Sequence, residues 1–108
     1  MIKLGYRWAV LAAQLVEALQ AEGRNELARQ VGELEVHELC GCGDSFCQSF
    51  YTAPRPEGAY GPGHRCLPLD APWSGMLVLD LVAGQIVYVE VLDRSAPLGL
   101  ELGQDHGA

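Results

Sequence analysis

An α+β fold, with two N-terminal helices packed on an antiparallel sheet of four to five strands, follows from three observations in this 108-residue sequence. Large apolar residues recur every three to four positions from Trp8 to Leu19. The helical period is lost after Gly32 and replaced by short strand-like runs. Near the end, two β-branched and Leu-rich runs are separated only by Ala83-Gly84, the mark of a tight hairpin.

The first helix spans Tyr6 to Glu22, because Trp8, Leu11, Leu15 and Leu19 draw one stripe that Val10, Ala12 and Val16 widen. Gly23 stops it as the residue beyond the C-cap. Asn25 then caps a short second helix, Glu26 to Val31, with Leu27 and Val31 one turn apart. Two strands, Glu33 to Leu39 and Phe46 to Thr52, flank a turn rich in Gly41, Gly43 and Asp44. Ala53 to Gly63, with Pro54, Pro56 and Pro62, is a surface loop, and Arg65 to Leu69 a short strand beyond it.

Met76 to Val82 and Gln85 to Leu92 close the fold as a hairpin. A two-residue turn sets Leu81 opposite Ile86, Leu79 opposite Tyr88, Val78 opposite Val89 and Asp80 opposite Val87. That register leaves both faces largely apolar, which points to a homodimer through the C-terminal hairpin. Residues 1–94 form the single domain, and 95–108 a C-terminal tail expected to be partly disordered.

A chain this long buries roughly two thirds of its unfolded surface and needs no metal or disulfide staple to fold. The net charge of −7 repels phosphate backbones and anionic headgroups, so nucleic acid and membrane surfaces are excluded as partners. Gln14 and Glu17 interrupt the N-terminal apolar run, which is neither a signal peptide nor a membrane span and points to the cytoplasm. In a reducing compartment, clustered cysteines are metal ligands or reactive thiols more often than disulfides.

All four cysteines fall between residues 40 and 66. Cys40, Cys42, Cys47 and Cys66, with His64, supply enough thiolate and imidazole for a structural zinc site, although the intervals depart from the usual C-x2-4-C knuckles. Copper(I) is a weaker alternative for the C-x-C pair. A thiol redox protein or sensor using Cys40, Cys42 and Cys47 is the second reading, opposed by the acidic neighbours Glu38 and Asp44, which hold thiol pKa values up. The third is that the cysteines are reduced, small core residues.

His64 reads as a loop hydrogen-bonder, and Asp80, Glu90 and Asp93 as solvated or salt-bridged carboxylates. No set of residues names a reaction, so no catalytic or cofactor-binding residue is assigned. Tyr51, Arg55, Tyr60 and Arg65, on and around the Pro/Gly loop, are the best candidates for contact with a protein partner.

The run from Cys40 to Tyr51, the segment Gly61-Pro62-Gly63-His64-Arg65, and the ending Val78 to Arg94 resemble a group of small bacterial proteins of unknown function, over about residues 20 to 94. These share a C-x-C-G-x-x-x-C turn and a glycine-turned C-terminal hairpin. The resemblance implies a bacterial cytoplasmic α+β domain and transfers no activity. Together these readings describe a small non-enzymatic binding or regulatory module whose cysteine cluster is a candidate zinc site.

Overall fold

The computed structural model describes residues 2–40, 48–69 and 76–92. Strand β1 (Ile2–Lys3) leads into helices α1 (Leu4–Arg7), α2 (Ala9–Ala21) and α3 (Asn25–Val31). Strands β2 (Glu35–Val36), β3 (Glu38–Leu39), β4 (Phe50–Tyr51), β5 (His64–Leu69), β6 (Met76–Val82) and β7 (Gln85–Leu92) follow. β1 and β2 form a two-stranded ribbon, and the other five strands make an antiparallel sheet in the order β3-β4-β7-β6-β5. The class is α+β as the sequence predicts, with helices against one face of the main sheet.

The helical stripe is the core. Leu11, Leu15 and Leu19 are fully buried together with Leu4, and they meet Phe50, Leu79, Val89 and Val91 from the sheet. Trp8 is buried as well, but it leaves helical geometry (φ −139°, ψ 78°) and divides the expected first helix into α1 and α2. Its indole packs on Phe50 at 5.0 Å between ring centroids, within the range of favourable aromatic pairs. Gly23 ends α2 with φ +74°, a conformation that an L side chain resists. Asn25 is the first helical residue of α3 rather than its cap, and the capping position, Arg24, makes no side-chain cap bond.

The expected strand from Glu33 to Leu39 is divided in two. Val36 turns inward and pairs with Ile2, whereas Glu38 and Leu39 pair with Tyr51 and Phe50 in the larger sheet. β1 was not legible in the sequence because two residues carry no periodicity. The partner strand is shorter than expected on its described side, starting at Phe50, and residues 41–47, with the cysteine turn, lie outside the described residues, as does the tail.

The β6–β7 hairpin has the expected ends and turn but a different register. Ala83 and Gly84 both take positive φ, +52° and +80°, as a type I′ connection requires. Leu81 pairs with Ile86 as expected, but a bulge then shifts the ladder: Asp80 faces Tyr88, Leu79 faces Val89, and Val78 faces Glu90. The extra residue, Val87, gives its carbonyl to the Thr52 amide at 3.0 Å.

The bulge has a packing cause. Without it Ile86 and Val89 would point to opposite faces; with it Ile86, Val89 and Val91 join Leu77, Leu79 and Leu81 in the core. The second face of the hairpin therefore carries Asp80, Tyr88 and Glu90 among its valines, so less apolar surface is left over than the unbulged register suggested. Among the described residues, no helix is long and apolar enough to cross a membrane.

Candidate functional site

Side-chain alternation on β5 puts His64 and Cys66 on the same face, turned away from the helices. Register then places Cys66 beside Asp80, Asp80 beside Tyr88, Tyr88 beside Tyr51, and Tyr51 beside Glu38. A single polar and aromatic row thus crosses all five strands.

At the β5 end of this row, three donor atoms converge. Asp80 Oδ1 accepts the Cys66 thiol proton at 3.1 Å and lies 2.9 Å from His64 Nε2, while Sγ and Nε2 are 3.9 Å apart. All three atoms lie within 4.8 Å of one another. Asp80 is buried and the other two side chains are exposed, so the group opens outward from a carboxylate seated in the sheet.

Electrostatics here oppose a reactive thiol. The hydrogen bond to Asp80 raises the Cys66 pKa above its ordinary value, with burial, the Asp80 charge and Glu90 adding to it. In a nucleophilic Cys–His pair the imidazole takes the thiol proton, whereas here the carboxylate stands between the two and holds both. The arrangement keeps the thiol neutral until something stronger than a proton competes for it.

A divalent cation is such a competitor. Bond lengths of about 2.3 Å to sulfur and 2.0–2.2 Å to nitrogen or oxygen set tetrahedral ligand edges near 3.3–3.6 Å. The observed separations of 2.9, 3.1 and 3.9 Å bracket those edges, so adjustments of about half an ångström bring the three atoms onto one ion. A mixed N, S and O donor set suits zinc.

The sequence-derived ligand set is divided by the strand order. Cys40 follows β3 and pairs through its amide with Ser49 O at 2.9 Å, on the edge of the sheet opposite β5. Four inter-strand steps make roughly 19 Å, while two thiolates on one zinc ion stand within about 4.6 Å. Cys40 and Cys66 therefore do not share an ion, and neither do Cys40 and His64. Cys42 and Cys47 lie outside the described residues.

The proposed contact residues separate in the same way. Arg55 lies over the Tyr51 ring at 4.7 Å, reaches Glu38 at 3.3 Å and donates to Cys40 O at 2.9 Å, tying the Pro/Gly loop to the end of β3. Tyr51 in turn stacks on Tyr88 at 4.4 Å. Tyr60 stacks on His64 at 4.9 Å, and burial, then the Tyr51 and Asp80 charges, push its hydroxyl pKa up against the opposing pull of Arg55. Arg65 pairs with Leu81, whose side chain is in the core, so it points to the other face and is no part of this platform.

Asp80 is the candidate donor that sequence reasoning did not include in its metal set. Its signal was the adjacency of two consecutive strands: a β5–β6 hairpin in the observed register sets Cys66 opposite Asp80, and His64-x-Cys66 on a strand already shares a face. No protein-family model, curated protein or solved structure matches this chain.

Proposed function

We propose that this domain is a non-enzymatic binding module that holds one zinc ion through His64 Nε2, Cys66 Sγ and Asp80 Oδ1. The convergence of those three atoms within 4.8 Å on one sheet face is the observation that carries the reading. Neighbouring strands supply the ligands, so an ion there would cross-link β5 to β6 and add to the stability of β5, the end strand of the sheet. The row of Arg55, Tyr51 and Tyr88, with Tyr60 above His64, forms a rigid aromatic and cationic platform beside the ion, of the composition that anchors protein partners.

Zinc analysis on freshly purified protein, with melting curves before and after chelation, tests this. One equivalent of zinc is expected, with a lower melting temperature once it is removed. Cys66→Ser and Asp80→Asn should each weaken zinc by more than the roughly 10–100-fold that loss of a ligand's supporting contact costs. A Cys42→Ser/Cys47→Ser double variant should retain it. Zinc that survives in Cys66→Ser but disappears in the double variant would return the metal to the cysteine turn.

A further inference from the structure

We infer that Cys66 is an oxidation site through which a hydroperoxide expels the ion, and that a small thiol reverses the change. This rests on the zinc reading above and names the regulation of that same site.

Cys66 is the only sulfur among the three converging donors. Peroxides at low concentration oxidise sulfur and leave imidazole and carboxylate alone, so the chemistry is confined to one atom of the site. That side chain is exposed and stands on β5, the end strand of the sheet, on the face turned away from the helices. An oxidant therefore meets the sulfur without crossing the core. In a site of four thiolates the loss of one leaves three soft ligands. Here it leaves one nitrogen and one oxygen, so a single oxidation removes the donor zinc holds best. The mixed donor set, and not the cysteine alone, is what would couple oxidation to release.

The step balances with a hydroperoxide as the oxidant. The bound thiolate attacks one peroxide oxygen; an S–O bond forms, the O–O bond breaks, sulfur is oxidised by two electrons, and the second oxygen leaves as hydroxide and takes a proton from solvent. The product is a neutral sulfenic acid, which no longer offers zinc an anionic sulfur. Asp80 Oδ1, 3.1 Å from Sγ, stays beside the product as an acceptor for its new hydroxyl. The other thiol among the described residues, Cys40, sits at the opposite edge of the sheet and cannot form a disulfide with it. Reduction then falls to an external thiol: one molecule displaces water to give a mixed disulfide, and a second breaks that bond, leaves as the small molecule's own disulfide and frees the Cys66 thiol to bind zinc again.

The test uses the full chain carrying zinc, hydrogen peroxide as the oxidant, a chromophoric chelator too weak to take the ion before peroxide is added, and dimedone to trap sulfenic acid for peptide mass spectrometry. One zinc per chain is expected to appear in step with one dimedone adduct on the peptide holding Cys66. A Cys40→Ser/Cys42→Ser/Cys47→Ser variant should release zinc in the same way, and dithiothreitol should restore binding when dimedone is left out. Zinc that stays on a chain whose Cys66 is oxidised overturns the inference, as does a Cys66 that remains unmodified and zinc-bound at peroxide concentrations that oxidise free cysteine; the zinc reading survives both. Zinc released while Cys66 is untouched and the adduct lies on Cys42 or Cys47, or a chain that takes up no zinc, overturns the zinc reading and this inference together.

Discussion

Asp80 Oδ1 receives the Cys66 thiol proton at 3.1 Å across neighbouring strands, and this bond determines what the thiol does in the absence of metal. A carboxylate that accepts from a thiol stabilises its neutral form, so the thiol pKa is raised. Asp80→Asn removes that charge and should bring the pKa down toward its ordinary value. Alkylation of metal-free protein, read against a Cys66→Ser control to assign the site, should be slow at neutral pH in wild type and several-fold faster in Asp80→Asn. The folded-state pKa is the higher one. The bond's contribution to stability is therefore complete below the ordinary thiol pKa and lost as the pH rises through the raised one.

Zinc uptake should release the proton of the Cys66 thiol at neutral pH, because sulfur binds the ion as thiolate. Zinc affinity should accordingly rise roughly tenfold per pH unit below the thiol pKa. Calorimetry in buffers of different ionisation enthalpy measures the count. A heat independent of the buffer would show that no thiol ionises on binding.

Gln30 reaches from α3 to both sides of the last turn: its Nε2 donates to Gly84 O at 2.7 Å, and its Oε1 accepts from the Ile86 amide at 3.0 Å. Gln30→Ala removes both bonds, one exposed and one part-buried, and should cost about 0.5–1.5 kcal/mol in urea denaturation. Zinc stoichiometry should be unaffected, since the clamp lies at the hairpin turn and not at the proposed ligands His64, Cys66 and Asp80.

Ala83 holds φ +52° in that turn, a left-handed conformation that costs an L-residue about 1–2 kcal/mol and that glycine and asparagine tolerate. Ala83→Asn should stabilise the protein by up to about 1 kcal/mol, seen as a raised denaturation midpoint. Ala83→Val should lower it. A null result for Ala83→Asn would mean that the turn adopts another conformation in solution.

Arg55 is exposed, and its ion pair with Glu38 is worth under about 1 kcal/mol. Arg55→Ala should therefore leave stability nearly unchanged in thermal melts. A large drop would show that its stacking on Tyr51 and its bond to Cys40 O hold the sheet edge together.

Much of the architecture was written locally. Leu11, Leu15 and Leu19 lie one above another on any helix that forms, and Ala83-Gly84 between two β-branched runs makes one kind of turn. The division of the long strand at His37 was not legible, because it depends on Val36 finding Ile2 while Glu38 finds Tyr51, and no local period encodes two different partners. For the candidate site, His64 and Cys66 were visible as donors, but Asp80 resembled any carboxylate on a strand until Cys66 was paired with it.

By itself the sequence determined the apolar stripe of α2, the short helix α3 after Gly23, and the β6–β7 hairpin with its turn, since side-chain periodicity and positive-φ positions act over a few residues. Only tertiary structure decided the bulge at Val87, the order that sends Cys40 and Cys66 to opposite edges, and the meeting of Asp80 with both His64 and Cys66. Those outcomes depend on how apolar faces from distant segments fill a single core, and a one-residue shift in that packing turns a side chain to the other side of the sheet.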